Sequence, residues 1–428
     1  MNILLLTNTY TPHVGGVARS VESFAQEYRR RGHRVLVVAP EFEGVPESEE
    51  GVLRVPAIVR FNGSDFSVPV PVPRGLASAV ESFGTDVVHS HHPFLLGDTA
   101  LRLAASWDLP VVFTHHTLYE RYTHYVPGDS PAMKRFAVEL AVGYCNLCDA
   151  VIAPSESIAR LLRERGATVP LRVIPTGVDR TRFAGGDGAA FRAGLGIPRQ
   201  ALVVGHVGRL APEKNLGFLA RAVGRFLVDR PEAHFLVVGG GPSGEDLRRT
   251  FERLGVAGRL HAPGVLAGGE LVSAYRAMDL FAFASHTETQ GMVLAEAMAA
   301  GVPVVAVDAS GVREVVEDRG NGRLLASDDE DAFAGALAWV AERRGAGDRA
   351  LERAVAATAR RFSLERTAGD ALELYRSLQP ARPSPKAVDT SAWASARRRL
   401  AEEWRIFRNI AAAAGESVRR GGEEESLP

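Results

Sequence analysis

Short apolar runs alternate with helix-spaced stretches from one end of the chain to the other. In the first half, Ile3–Leu6, Arg34–Val38, Asp86–His89, Val111–Thr114 and Ala150–Ala153 are rich in Val, Ile and Leu and lack polar alternation. Strands buried on both faces of a parallel sheet read this way. Between them, Gly16–Arg31, Leu95–Trp107 and Pro131–Cys148 carry helical spacing, the first stopping at Gly32. The pattern restarts with strands at Leu202–Val207, His234–Val238, Leu280–Ala284 and Pro303–Val307, and helices at Asn215–Leu227, Gly244–Leu254, Glu270–Met278 and Met292–Ala300. This alternation predicts an α/β protein with two doubly wound, Rossmann-like domains.

The run Arg182-Phe183-Ala184-Gly185-Gly186-Asp187-Gly188 breaks the pattern. It predicts a first domain over 1–180, a linker over 181–200 and a second domain over 201–362. Another helix is expected over 363–380. Residues 381–428 are expected to hold a linker, an amphipathic helix and an acidic tail. Ligands of open α/β sheets bind outside the carboxyl ends of the strands, so residues just after each strand are the informative ones. Two domains with facing strand ends would enclose one cleft.

After the first strand, Gly15-Gly16 precedes a helix. This is either a tight turn or a place where an anion meets free N–H groups and the helix dipole. After the Leu202–Val207 strand, Gly208-Arg209-Leu210-Ala211-Pro212-Glu213-Lys214-Asn215 places two cations around a turn that opens a helix, which suits a pyrophosphate. Gly239-Gly240-Gly241-Pro242-Ser243-Gly244 fits G-x-G-x-x-G, but Leu260–Gly264 stands where a dinucleotide site would carry its ribose-binding acid. A phosphate- or nucleoside-facing turn is the first reading of this loop and NAD the second. After Leu280–Ala284 comes Ser285-His286-Thr287-Glu288-Thr289-Gln290-Gly291-Met292, leading into an apolar helix that contains Glu296. A carboxylate inside such a helix needs hydrogen-bond donors, and a ribose diol offers two.

Glu288 and Glu296, with seven residues between them, resemble the E-x7-E motif of retaining glycosyltransferases of family 4, which have the GT-B fold. Gly15-Gly16, Gly208-Arg209-Leu210 with Lys214, and Val173-Ile174-Pro175-Thr176-Gly177-Val178-Asp179 resemble other segments of that family, in the same order, over about residues 1–375. The resemblance implies two Rossmann-like domains facing an interdomain cleft, with the 363–380 helix returning to the first domain and a C-terminal helical extension beyond it. It also implies a nucleotide-sugar donor bound mainly by the second domain, with no cofactor and no metal. By position, Arg209 and Lys214 would hold the diphosphate. Glu296 would take the ribose, and Glu288 the transferred sugar, assisted by backbone N–H groups near Gly291 and Met292. Gly15 and Gly16 would approach the distal phosphate, and His116 the sugar, with His115 as the neighbouring alternative.

Thr287-Glu288-Thr289-Gln290-Gly291 departs from the family's commoner Glu-x-Phe-Gly. Together with the run His116–Tyr125, it resembles enzymes that glucosylate diacylglycerol. That implies transfer of a hexose, glucose from UDP-glucose, to a lipid acceptor near His115, Tyr119, His124 and Tyr125. Two alternatives stay open. One is a mannosyl- or other hexosyltransferase acting on a polysaccharide or small molecule. The other is a nucleotide-sugar-binding or epimerase-like protein that transfers nothing.

Fifty basic residues against 51 acidic ones give a net charge of −1, so no global field favours nucleic acid. Only Lys134, Lys214 and Lys386 are lysines among those fifty, which singles out Lys214. Cys145 and Cys148 read as small apolar residues on one helix face. His89, His91, His92, His115 and His116 read as cleft-lining groups, with zinc as the alternative. Asp328–Asp331 reads as a solvated helix start. The N-terminus shows no signal-peptide pattern, and no apolar run reaches membrane-spanning length, so a cytoplasmic protein is expected, peripheral on the inner membrane face. Residues 391–420 combine seven Arg and three Glu with Trp393, Leu400, Trp404, Phe407 and Ile410. This helix either meets an anionic membrane surface or packs on protein.

Overall fold

The computed structural model describes residues 1–13, 15–45, 49–58, 68–69, 76–121, 123, 130–379 and 392–424. His124 and Tyr125 lie outside the described residues. The chain divides into two compact units, Met1–Pro175 with Thr367–Pro428, and Thr176–Arg366.

The first unit contains β1 (Asn2–Leu6), β2 (Arg34–Pro40), β3 (Val52–Val55), β4 (Ala57–Ile58), β5 (Val68–Pro69), β6 (Val87–Ser90), β7 (Val111–Thr114), β8 (Ala150–Ala153) and β9 (Leu171–Val173). Its helices are α1 (Gly16–Arg30), α2 (Leu76–Phe83), α3 (Leu96–Trp107), α4 (Pro131–Leu147) and α5 (Glu156–Glu164). The main sheet has the order β3-β2-β1-β6-β7-β8-β9 and is parallel at every pairing. Apolar side chains leave both faces of these strands: Leu4, Leu6, Phe113 and Val151 join one core cluster while Ile3, Leu5 and Val112 are also fully buried. That is why the strand sequences lack alternation. Cys145 and Cys148 are buried in the same core, with thiols pushed up by burial.

The second unit opens with α6 (Arg180–Ala184) and α7 (Gly188–Gly194), then β10 (Leu202–Val207), α8 (Leu216–Asp229), β11 (Ala233–Val238), α9 (Gly244–Arg253), β12 (Leu260–Gly264), α10 (Gly268–Arg276), β13 (Leu280–Phe283), α11 (Met292–Ala299), β14 (Val304–Val307), β15 (Gly322–Leu325), α12 (Glu330–Gly345) and α13 (Arg349–Arg361). Its parallel sheet has the order β12-β11-β10-β13-β14-β15. Along β13, Leu280 and Ala282 enter one core and Phe281 and Phe283 the other. The strand order reverses between β10 and β13, so the loops after these two strands flank the switch point.

The expected linker over 181–200 is instead two helices belonging to this unit. Asp179 and Asp187 cap them by accepting backbone N–H bonds, and Phe183 is buried against Tyr275. The glycines that look like breaks permit close packing: a Cβ on Gly188 would overlap the Arg276 carbonyl.

A short motif recurs in both units. The Asp just before a strand accepts a backbone N–H from the start of the neighbouring strand: Asp86 from Asn2 at 2.7 Å, Asp149 from Val111 at 2.7 Å and Asp279 from Val203 at 2.8 Å. Two helices complete the first unit. Helix α14 (Leu364–Leu378) inserts Tyr375, whose hydroxyl bonds to Tyr28 at 3.1 Å and to His89 at 2.6 Å. Helix α15 (Ala392–Glu424) is longer than the sequence spacing suggests and packs on α3 and α4, with Ile406 entering the core. Among the described residues, no helix is long and apolar enough to cross a membrane.

Candidate active site

The candidate residues fall into two groups, one at the strand ends of each unit. In the second unit, the loop after β10 carries Arg209 and Lys214, and the loop after β13 carries Glu288. Lys214 Nζ lies 2.5 Å from Glu288 Oε1, and both side chains are largely shielded from solvent. Burial pushes the Glu288 carboxyl up. The Lys214 ammonium and Ser285 pull it down further, so it stays below the usual carboxylate range. Arg209, more exposed, pairs with Glu213 at 2.5 Å. Lys214 is therefore held by a carboxylate of the adjacent loop, and Arg209 by one of its own loop.

Glu296 is 5% exposed on α11, as the apolar flanks predict. Its Oε2 accepts a hydrogen bond from the Tyr275 hydroxyl on α10 at 2.7 Å. The donor that a buried carboxylate requires is thus partly internal, and the sequence pattern did not reveal it. Gly291 caps α11 with φ +71°, a conformation open to glycine, and Met292 starts the helix half-buried. Gln290 is buried, and its amide clasps the Thr176 backbone twice, Oε1 accepting from N and Nε2 donating to O, each at 2.7 Å. The residue that departs from the family pattern therefore ties the Glu288 loop to the start of the unit.

Beneath these loops His206 is buried on β10. Its Nδ1–H donates to the Ala282 carbonyl at 3.0 Å, which leaves Nε2 as the acceptor. Burial lowers its pKa to about 4, so the ring is neutral. The glycine loop after β11 packs on the loop after β10: Leu210 N–H donates to Gly240 O and Ser243 N–H to Leu210 O, both at 2.8 Å. A Cβ on Gly239 or Gly241 would overlap the Gly208 or Leu210 carbonyl. Gly239, Gly240, Gly241, Leu260 and Gly264 border a cavity of about 250 Å³.

In the first unit, Gly15 precedes α1 in extended backbone and Gly16 begins the helix. The histidines gather after β6 and β7. His91 Nδ1 and His116 Nε2 are hydrogen-bonded at 3.0 Å, and burial, reinforced by neighbouring histidines, holds both rings well below the ordinary imidazole range. His92 Nδ1 accepts from Asn8 N–H at 3.0 Å, joining this cluster to the loop after β1. His115 is buried edge-on to Phe113 and to Tyr119, which itself meets Phe94. Among the described residues no three His, Cys, Asp or Glu side chains converge as a metal-binding group. Asp329 caps α12 through Ala332 N–H, and Glu330 and Asp331 pair with Arg221 and Arg225, as a solvated helix start should.

Residues 14–182 match the sequence profile of Glycosyltransferase Family 4, and residues 201–343 that of Glycosyl transferases group 1. The alpha-monoglucosyldiacylglycerol synthase of Streptococcus pneumoniae is 30% identical over 349 residues, 79% of this chain and 77% of that protein. The chain belongs to glycosyltransferase family 4. A second relative of this glycosyltransferase is the D-inositol 3-phosphate glycosyltransferase of Stackebrandtia nassauensis, 36% identical over 309 residues, 68% of each chain. In fold, the glycosyltransferase is similar to Anabaena HepE in complex with UDP and glucose, with a TM-score of 0.69 and 23% identity over 88% of this chain and all of that one.

Proposed function

We propose that this glycosyltransferase moves glucose from UDP-glucose to a membrane lipid of the diacylglycerol type, with retention at the anomeric carbon and without a metal ion. The Lys214–Glu288 pair at the switch point carries the reading. It puts one group suited to a diphosphate and one suited to sugar hydroxyls side by side. Arg209 and Lys214 exchange their carboxylate partners for the diphosphate and stabilise the negative charge that grows on it as the glycosidic bond breaks. The acceptor hydroxyl attacks the same face, and its proton passes to the leaving phosphate. Glu288 and the backbone near Gly291 and Met292 orient the sugar. Glu296, steadied by Tyr275, takes the ribose, and the cavity beside Gly240 receives the base. Gly15 and Gly16 serve the distal phosphate and His116 the sugar, while His115 and Tyr119, with His124 and Tyr125, belong to the acceptor side. The Streptococcus synthase supports the lipid acceptor, and the inner membrane face is the place of work proposed with it.

The test is a donor screen followed by mass spectrometry, with diacylglycerol and inositol phosphate offered as acceptors. Glucosyl-diacylglycerol from UDP-glucose, lost in Glu288→Ala, is expected. Glycosylation of inositol phosphate alone would replace the lipid acceptor with a small polar one. Equal turnover by Glu288→Ala would refute the assigned site.

A further inference from the structure

Helix α15 packs with one face and leaves the opposite one open. Glu402, Ile406, Ala413 and Ser417 are buried. Arg398 donates to the carbonyls of Ala105 and Ser106 at 3.0 and 3.2 Å, Arg102 pairs with Glu403 at 2.6 Å, and Asn409 donates to Leu140 O at 3.3 Å. These bonds fix which side of the helix faces outward. On that side Leu400, Trp404 and Phe407 follow at i, i+4 and i+7, with Ile410 beside them, at 73, 59, 60 and 41% exposure. The Trp404 and Phe407 rings stack with centroids 5.8 Å apart. Four of the seven large apolar side chains exposed among the described residues thus lie on one stripe. A helix already anchored by its inner face gains nothing in the free protein from such an outer face, so the stripe points to a partner.

We propose that the outer face of α15 docks on an anionic lipid bilayer, Trp404 and Phe407 entering the interfacial zone while the helix lies flat. Charge favours lipid over a second copy of the chain. Arg399 and Arg408 are exposed and flank the stripe, while Glu403 is engaged by Arg102. A second copy would bring the same arginines to the seam, while the carboxylates of this stretch, Glu402 and Glu403, are already paired with Arg405 and Arg102. Anionic headgroups meet the same rim with attraction. The docking rests on the membrane placement proposed above, but it is read by binding rather than by transfer.

The full chain is sedimented with phosphatidylglycerol vesicles and, separately, with phosphatidylcholine vesicles. Binding to phosphatidylglycerol that weakens with salt is expected, with much less binding to phosphatidylcholine. Trp404→Glu with Phe407→Glu should lower partitioning about tenfold or more, the order expected for two lost interfacial aromatics, while melting temperature and transfer to a soluble short-chain diacylglycerol stay unchanged. Arg399→Glu with Arg408→Glu should abolish the preference for phosphatidylglycerol. Absence of wild-type binding, equal binding to both vesicles, or unchanged binding by the aromatic variant would overturn the proposal. A wild-type dimer that the aromatic variant dissociates, with neither binding vesicles, would give the stripe to a second copy instead. Vesicle binding without lipid glucosylation would leave the docking standing and remove the acceptor assignment. Glucosylation of the soluble acceptor without vesicle binding would do the reverse.

Discussion

Lys214 and Glu288, 74 residues apart in sequence, meet at 2.5 Å at the point where the strand order of the second unit reverses. Each is a charge that would be costly to bury alone, so each holds the other in place until a ligand competes. Lys214→Ala leaves Glu288 facing a largely shielded site without its partner. The expected result is a loss of about a hundredfold in kcat/KM, the size typical for removing a group that stabilises transition-state charge. Melting should also fall by the equivalent of about 2 kcal/mol, because the remaining carboxylate is uncompensated. Lys214→Met with Glu288→Gln should recover the stability but not the activity. Steady-state kinetics beside calorimetry checks this, and a stable, inactive Lys214→Ala would show that the pair adds nothing to folding.

Tyr275→Phe isolates the support of Glu296. The ring and its stacking on Phe281 remain, while the hydroxyl that donates at 2.7 Å is lost. A hydrogen bond to a charged group is worth about 1.5–3 kcal/mol, so UDP affinity should fall roughly tenfold with little change in kcat. Titration calorimetry with UDP measures it directly. Unchanged affinity would mean that Tyr275 serves the fold and not the site.

The strands, their parallel arrangement and the loops that carry chemistry were legible because strands buried on both faces leave continuous apolar runs, and because site residues follow strand ends. What escaped was pairing across long sequence distance. Nothing local joins Tyr275 to Glu296 or Gln290 to Thr176, and His206 looks like any polar residue in a strand until Ala282 is placed beside it. The segment over 181–200 misled because its glycines signal both a flexible break and a close approach of backbones, and only packing against α10 tells these apart. For α15 the two sequence readings, membrane or protein, turned on a question of faces. The inner side is occupied by α3 and α4, and only the outer side is open to the first reading.

Gln290 should act as a positioning residue for the Glu288 loop. Its two 2.7 Å bonds to Thr176 are buried, so each is worth about 1 kcal/mol, and an orphaned peptide group adds to the loss. Gln290→Ala should lower stability by about 2–3 kcal/mol and reduce kcat more than it raises KM for the donor, because the loop is mispositioned rather than stripped of a ligand. Gln290→Glu keeps the acceptor for Thr176 N–H but sets an oxygen against Thr176 O. It should be no better than Ala. A Gln290→Glu enzyme with wild-type kcat would end the positioning role.

Acid should unfold the protein well above the usual carboxylate range, and the buried histidines set the direction. Burial lowers His89 and His92 to about 3 and His115 and His206 to about 4, and holds His91 and His116 well below normal. In the unfolded chain each titrates near 6.5, roughly the ordinary imidazole value. Below that pH the unfolded state binds more protons than the folded one, so stability is full above about pH 6.5 and falls as the pH drops toward the folded values. Each such histidine costs about 1.4 kcal/mol per pH unit in that window. Asp98, raised to about 6 by burial, and Glu402, also raised by burial, work the other way, but they are two groups against six. The melting temperature should therefore be flat from pH 8 to 7 and drop steeply between about pH 6 and 5, with several protons taken up on unfolding. His206→Gln, which keeps a donor for Ala282 O, should reduce that uptake by about one proton. A melting temperature unchanged from pH 7 to 5 would mean that these rings are open to protonation in the folded protein.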